Sequence, residues 1–194
     1  APLMVIEADE YLTSPLDLRS KFLHYHPHIA IISGIAWDHI NVFPTYDEYL
    51  ETFRRFIKSI QPNGSLIYNA EDAELVKMID GLKSEIENKI QLVPYFPFQF
   101  KTENDESILV YNKKDFLINV FGSHNFANLK SAFEVGKIIG LSEENILESF
   151  KTFEGAAKRL EKVFDDNTTK QTIFRDFAHA PSKVKATVKA VRER

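Results

Sequence analysis

Cysteine is absent from the 194-residue chain, which excludes disulfides, thiolate metal sites and a cysteine nucleophile. Long apolar runs are absent as well, since none approaches the ~20 residues that a membrane-spanning helix needs. There is no surplus of positive charge. Lys and Arg number 24 against 28 Asp and Glu, without the basic excess that marks nucleic-acid binders. Neither nucleic acid nor a membrane is therefore expected as a partner. No internal repeat or low-complexity tract interrupts the chain. What is present is an ordinary globular mixture, 44% hydrophobic and 27% charged, with enough apolar material for a packed core. The length suits one domain, or one domain and part of another. Ala1-Pro2-Leu3-Met4 lacks the basic start of a leader and enters an apolar run at once, so it reads as a cut through a larger protein.

Hydrophobic spacing predicts the elements. Residues 3–8 read as a short buried strand, and residues 13–22 as a loop with a short helix. Residues 30–34 read as the next strand, carrying the apolar run Ile29-Ala30-Ile31-Ile32, as buried parallel strands do. Tyr46, Tyr49, Leu50, Phe53, Phe56, Ile57 and Ile60 recur at three- and four-residue steps, the stripe of an amphipathic helix. Thr45 with Glu48 makes a capping box at its start, and Gln61-Pro62-Asn63-Gly64 a turn at its end. A strand over 65–69, a helix over 72–83 with Ala73, Val76 and Ile79 inward, and a strand over 90–96 follow. Such alternation predicts an α/β fold, a parallel sheet with helices on its faces. Three short runs (99–102, 107–111, 116–121) separated by polar turns predict a small antiparallel meander. A helix over 122–140 has Phe126, Leu129, Phe133 and Ile139 inward, and one beginning after Ser142 has Ile146, Phe150 and Phe153 inward. Past Gly155, two strands (160–165 and 171–177) and a closing helix (181–192) are too little for a core. Residues 1–155 therefore read as one domain, and 156–194 as the opening of another.

Several polar groups carry possible chemistry. If the runs over 3–8 and 30–34 are neighbouring strands, their C-terminal ends bring Glu7 and His39 to one sheet edge, where ligands bind in such folds. A hard divalent cation fits between them. A solvated strand end accounts for Glu7, Asp9 and Glu10 equally well. His24, His26 and His28 alternate, which invites zinc, although Pro27 opposes strand pairing and plain surface histidines are the simpler reading. Asn125 and Asn128 lie three apart on a helix face. Their amides suit a purine edge, or simply cap the helix. Arg159, beside Lys158, has the fork geometry that clamps phosphate, or forms a solvated basic pair. Asp176 stands at a strand end, where an acid accepts from ribose hydroxyls or serves a helix N-terminus.

Five stretches in this order resemble the Mur ligase family of peptidoglycan amide ligases: Glu7-Ala8-Asp9-Glu10-Tyr11, Asp38-His39, Gly122-Ser123-His124-Asn125 with Asn128, Gly155 to Leu160, and Asp176 to Pro181. The run Arg19 to Tyr25 is most similar to the branch that joins UDP-N-acetylmuramate to the tripeptide L-alanyl-γ-D-glutamyl-meso-diaminopimelate. A sister branch that uses L-alanine shares the other stretches. The resemblance implies a cytoplasmic bacterial enzyme using ATP and Mg2+, with a P-loop-type nucleotide-binding fold followed by the start of a Rossmann-like C-terminal domain. ATP phosphorylates the muramate carboxylate, an amine attacks the acyl phosphate, and phosphate leaves. By similarity, Glu7 and His39 hold Mg2+, Asn125 and Asn128 face adenine, Asp176 holds the ribose, Arg159 reaches the γ-phosphate, and His179 lies near the reacting centre.

There are departures from the family. No glycine here opens a phosphate loop ending in Gly-Lys-Ser/Thr: Gly34, Gly64, Gly81 and Gly122 all fail, so the piece is expected to be inactive by itself. No lysine lies between Thr45 and Ile57, so no carbamylated lysine is expected. Ala180 stands where relatives often have a second histidine. A non-catalytic nucleotide-binding module is the competing reading. Surfaces left bare in partial domains are expected to favour self-association.

Overall fold

Thr45 Oγ1 accepts from the Glu48 N–H, and the Glu48 carboxylate accepts from the Thr45 N–H. This reciprocal cap satisfies two N–H groups that a helix start leaves unpaired. Helix α1 (Tyr46–Ser59) accordingly begins where the sequence predicts. The computed structural model describes residues 3–166 and 168–192. The chain divides into two compact units, Ala1–Tyr95 and Phe96–Arg194.

In the first unit, β1 (Ile29–Ile32), β2 (Ser65–Asn69) and β3 (Gln91–Tyr95) form a parallel sheet in that order. Helix α1 connects β1 to β2, and α2 (Ala73–Ile86) connects β2 to β3. Asp72 caps α2 by accepting from the Leu75 N–H at 3.1 Å. Ile32, Ile35, Leu66, Phe53, Phe56, Leu75 and Ile79 share one core. The buried stripe of α2 is Leu75, Met78, Ile79, Leu82 and Ile86, while Ala73, expected inward, is exposed.

The expected strand over residues 3–8 does not form. Residues 3–10 are irregular, and Met4 and Val5 are 78% and 88% exposed. A strand needs a neighbour for its N–H and C=O groups, and among the described residues this run is paired with none. The chain becomes anchored only afterwards. Leu12 bridges Ser20, Lys21 N–H donates to Tyr11 O, and Phe22 N–H donates to Asp9 O. Phe22 opens the way into the core, tilted against Phe53 and Phe56, from a short 3-10 helix, Lys21–His24.

In the second unit, β4 (Gln99–Glu103), β5 (Glu106–Tyr111) and β6 (Lys114–Ile118) make the predicted meander. Asn104-Asp105 and Asn112-Lys113 all have positive φ, the conformation that two-residue hairpin turns need to match strand twist. Helices α3 (Ser123–Ile138) and α4 (Glu143–Phe150) pack Phe126, Leu129, Phe133, Ile146 and Phe150 onto Phe98, Leu109 and Ile118. Ile139 and Phe153, expected inward, lie just past the helix ends and are exposed. Strands β7 (Glu161–Asp166) and β8 (Gln171–Arg175) form a separate antiparallel pair, followed by α5 (Pro181–Arg192). They belong to the same compact unit, with the Phe174 ring meeting Phe121 at 5.4 Å. A domain division after residue 155 remains a proposal.

Candidate functional site

Beyond the C-terminal end of β1, the chain is pinned at each step. Asn69 Nδ2 donates to Ser33 O at 3.2 Å, and Ile35 N–H donates to Asp72 Oδ2 at 2.8 Å. Trp37 Nε1 donates to Phe43 O at 3.1 Å, and Val42 and Phe43 N–H both donate to His39 O. Phe43 is buried in the core and holds this turn down. The turn sets His39 at φ 55, a left-handed conformation that histidine enters more readily than most side chains. Its N–H donates to Asp38 Oδ1 at 2.8 Å.

Glu10, Asp38 and His39 each bring one donor atom to within 4.8 Å of the other two, all half-buried. His39 Nε2 lies 3.4 Å from Glu10 Oε1, an ion pair once the imidazole carries a proton. Tyr49 is buried beside them. Burial, then the Glu10 and Asp38 carboxylates, push its phenol well above the usual range, so the hydroxyl stays neutral and able to donate. Two carboxylates concentrated on a half-buried rim favour a cation. The set fits a hard or borderline divalent ion, with two oxygens and one imidazole nitrogen.

The carboxylate that the first acidic run brings to this group is Glu10, three residues beyond Glu7. Glu7 is exposed, in the irregular run, and stands outside the group. Without a strand, the alternation that put Glu7 on the ligand edge does not apply. Instead Asp9 Oδ1 accepts from the Tyr11 N–H at 2.8 Å, a side-chain turn that redirects the chain at Glu10. Asp9 itself is held by Lys21 Nζ at 2.6 Å. Burial works to raise its pKa, but the Lys21 and Tyr11 hydrogen bonds win and hold it below the usual range. Asp38 appeared in the sequence reading only as the neighbour of His39. That its carboxylate joins the group follows from the tight turn and has no sequence signal of its own.

The three alternating histidines do not form a donor group among the described residues. His24 ends the 3-10 helix, and His26 and His28 lie in the irregular stretch before β1 rather than on a strand. His24 Nε2 faces Asp17 at 3.2 Å, and His26 has φ 43.

The nucleotide candidates lie in the second unit. Asn125 Nδ2 donates to Phe121 O at 2.8 Å, tying the start of α3 to the chain before it rather than capping the helix, while Asn128 is exposed one turn along. Asp176 organises its surroundings: Oδ2 accepts from Leu160 N–H and Thr187 Oγ1, each at 3.0 Å, and Oδ1 from Ala178 N–H at 2.7 Å. These bonds tie the loop at Lys158–Leu160 to the end of β8 and to α5. Phe177 then sits between two candidates, with the Arg159 guanidinium over its ring at 5.4 Å and the His179 ring edge-on at 5.2 Å. Arg159 and His179 are both exposed, a cation and an imidazole brought to one aromatic side chain.

Residues 3–136, well over half of the chain, match the family model of the Mur ligase middle domain. The chain belongs to the Mur ligase family. Among curated Mur ligases, UDP-N-acetylmuramate–L-alanine ligase of Caldicellulosiruptor bescii is 30% identical over 98% of this chain and 42% of its own length. UDP-N-acetylmuramate–L-alanyl-γ-D-glutamyl-meso-2,6-diaminoheptandioate ligase of Haemophilus influenzae is 29% identical over 100% of this chain and 43% of its own length. The chain thus spans about two-fifths of these curated relatives. The same Mur ligase fold appears in MurF of Acinetobacter baumannii (TM-score 0.75, 17% identity, 95% of this chain, 41% of that one). It appears again in a murein peptide ligase of Psychrobacter arcticus (TM-score 0.63, 24% identity, 95% of this chain, 39% of that one). No helix among the described residues is long and apolar enough to cross a membrane.

Proposed function

We propose that this Mur ligase segment is the central nucleotide-handling part of an ATP-dependent amide ligase, one that joins UDP-N-acetylmuramate to a tripeptide carrying meso-diaminopimelate. The observation that carries this reading is the Glu10–Asp38–His39 donor group beyond β1, in a chain matched over its whole length by the Haemophilus ligase of that acceptor. The 30% identity to the Caldicellulosiruptor enzyme supports a second reading, in which L-alanine is the amine. Both reactions use ATP and a UDP-linked sugar, substrates of the bacterial cytoplasm.

Glu10 and Asp38 supply oxygen ligands and His39 its Nε2 for a divalent cation, with Glu7 the further ligand that the resemblance assigns. When bound, Mg2+ neutralises phosphate oxygens and so eases attack on the transferred group. Arg159 adds a fixed positive charge for the γ-phosphate, with its guanidinium packed on Phe177. The resemblance assigns Asp176 to the ribose, Asn125 and Asn128 to adenine, and His179 to the neighbourhood of the reacting groups. Such chemistry is positioning plus charge compensation.

The test is phosphate release by the whole enzyme supplied with ATP, Mg2+, UDP-N-acetylmuramate and one amine at a time. Release dependent on the tripeptide is the expected result, and release dependent on L-alanine alone would transfer the assignment to the sister activity. Silence with both amines, from folded protein, would remove the ligase reading. The 194-residue segment assayed alone is expected to release none, because its sequence holds no Gly-Lys-Ser/Thr phosphate loop.

A further inference from the structure

Tyr11 touches both halves of the donor group without offering it a ligand. Its ring meets the His39 imidazole edge-on, with centroids 5.0 Å apart and planes at 72°. Its hydroxyl accepts from Asn41 Nδ2 at 3.0 Å, two residues beyond His39. On the other side, Tyr11 O accepts from Lys21 N–H, and the Lys21 ammonium stands 6.0 Å over the ring. Glu10 is its immediate neighbour in sequence.

These contacts join two separately anchored segments. Residues 9–12 are tied through the Lys21 and Phe22 backbone bonds to a phenylalanine in the core. Residues 38–43 are tied through the His39 turn to Phe43, also in the core. Both anchors hold the chain through backbone bonds, which leave side-chain torsions free, so neither one sets the imidazole plane. A ring packed against that imidazole, and latched to Asn41 on the same turn, does set it. Metal affinity depends on such outer contacts, because a ligand free to rotate must be ordered again each time an ion binds.

We propose that Tyr11 is a positioning residue for the divalent-cation site, holding the His39 ring so that Nε2 faces Glu10. The inference rests on the metal reading above. Its two parts have different consequences. The aromatic ring fixes the imidazole plane, and the Tyr11–Asn41 hydrogen bond fixes the distance between the two segments.

The experiment uses the purified protein with Mn2+ alone as probe, read by electron paramagnetic resonance titration, together with the His39 ring-proton shifts of the metal-free protein. Tyr11→Ala should weaken Mn2+ binding by about tenfold. Its thermal unfolding midpoint should stay near that of the wild type, and the His39 shifts should move as the ring current is lost. Tyr11→Phe keeps the ring and should preserve those shifts. Asn41→Ala should match Tyr11→Phe in Mn2+ affinity, since each deletes the same hydrogen bond, and the double variant should add nothing. Unchanged His39 shifts in Tyr11→Ala would overturn the proposal. So would Mn2+ affinity within about twofold of wild type, well short of the loss that outer contacts produce. Wild-type protein that takes up no Mn2+, behaving like His39→Asn, would defeat the metal reading itself. The metal-free His39 shifts would still decide whether Tyr11 holds the ring.

Discussion

His124 shows how one buried group ties pH to stability in the second unit. It lies in the first turn of α3, with Nδ1 buried and without a hydrogen-bond partner. Burial lowers its pKa below the ordinary 6.5, and the nearby Asp176 carboxylate pulls the other way without prevailing. The unfolded chain therefore takes up a proton as pH falls through about 6.5, while the folded imidazole resists until lower pH. The unfolded state binds more protons in that window, so stability is complete above it and declines as pH falls into it. Urea unfolding of the wild type and His124→Gln should show this directly: the wild type loses stability between neutral pH and mildly acidic pH, and the variant loses less. Equal losses would remove His124 as the cause. His124 was legible in the sequence only as part of a motif. Its burial was not legible, because that depends on α5 lying over the start of α3.

At the scale of elements, Gly122 carries two demands at once. It is the N-cap of α3 with φ +84, and a side chain there would meet Ala190 of α5, Cβ to Cβ at 2.6 Å. Gly122→Ala should therefore destabilise the protein by about 1–3 kcal/mol, combining backbone strain with overpacking. Adding Ala190→Gly should recover the steric part and leave the backbone part, which a urea-unfolding cycle can separate. No recovery would mean that the helix pair is not in the contact described. The elements themselves were largely legible. The stripe of α1, its capping box, the polar turns of the meander and the limits of α5 are local signals, and they appear where the sequence pattern places them. Where the reading failed, it failed for lack of a partner or by a small phase error. Residues 3–8 have strand-like composition but no neighbour, and α2 buries Leu75 rather than Ala73.

For the molecule as a whole, several apolar side chains of the first unit face solvent. Leu16 is 98% exposed and Leu18 70%, in addition to Met4 and Val5. Exposed apolar surface of this kind favours association. We expect the 194-residue chain to show concentration-dependent sedimentation that persists at high salt, and expect Val5→Ser with Leu16→Ser and Leu18→Ser to reduce it. A single monomeric species at every concentration would contradict this. The two compact units divide the candidate groups as well: Glu10, Asp38 and His39 belong to the first, and the Arg159–Phe177–His179 group with Asp176 belongs to the second.

Local pattern was enough to establish the α/β class, most helices and strands and the family likeness, and to single out the residue types proposed to handle a nucleotide's charge. Helix periodicity, caps and tight turns are encoded within a few neighbouring residues. The choice of Glu10 over Glu7 as the partner of His39, the entry of Asp38 into the group and the bracing by Tyr11 came only from tertiary structure. Each depends on where a turn redirects the chain and on which side chains, some thirty residues apart, a shared core brings into contact.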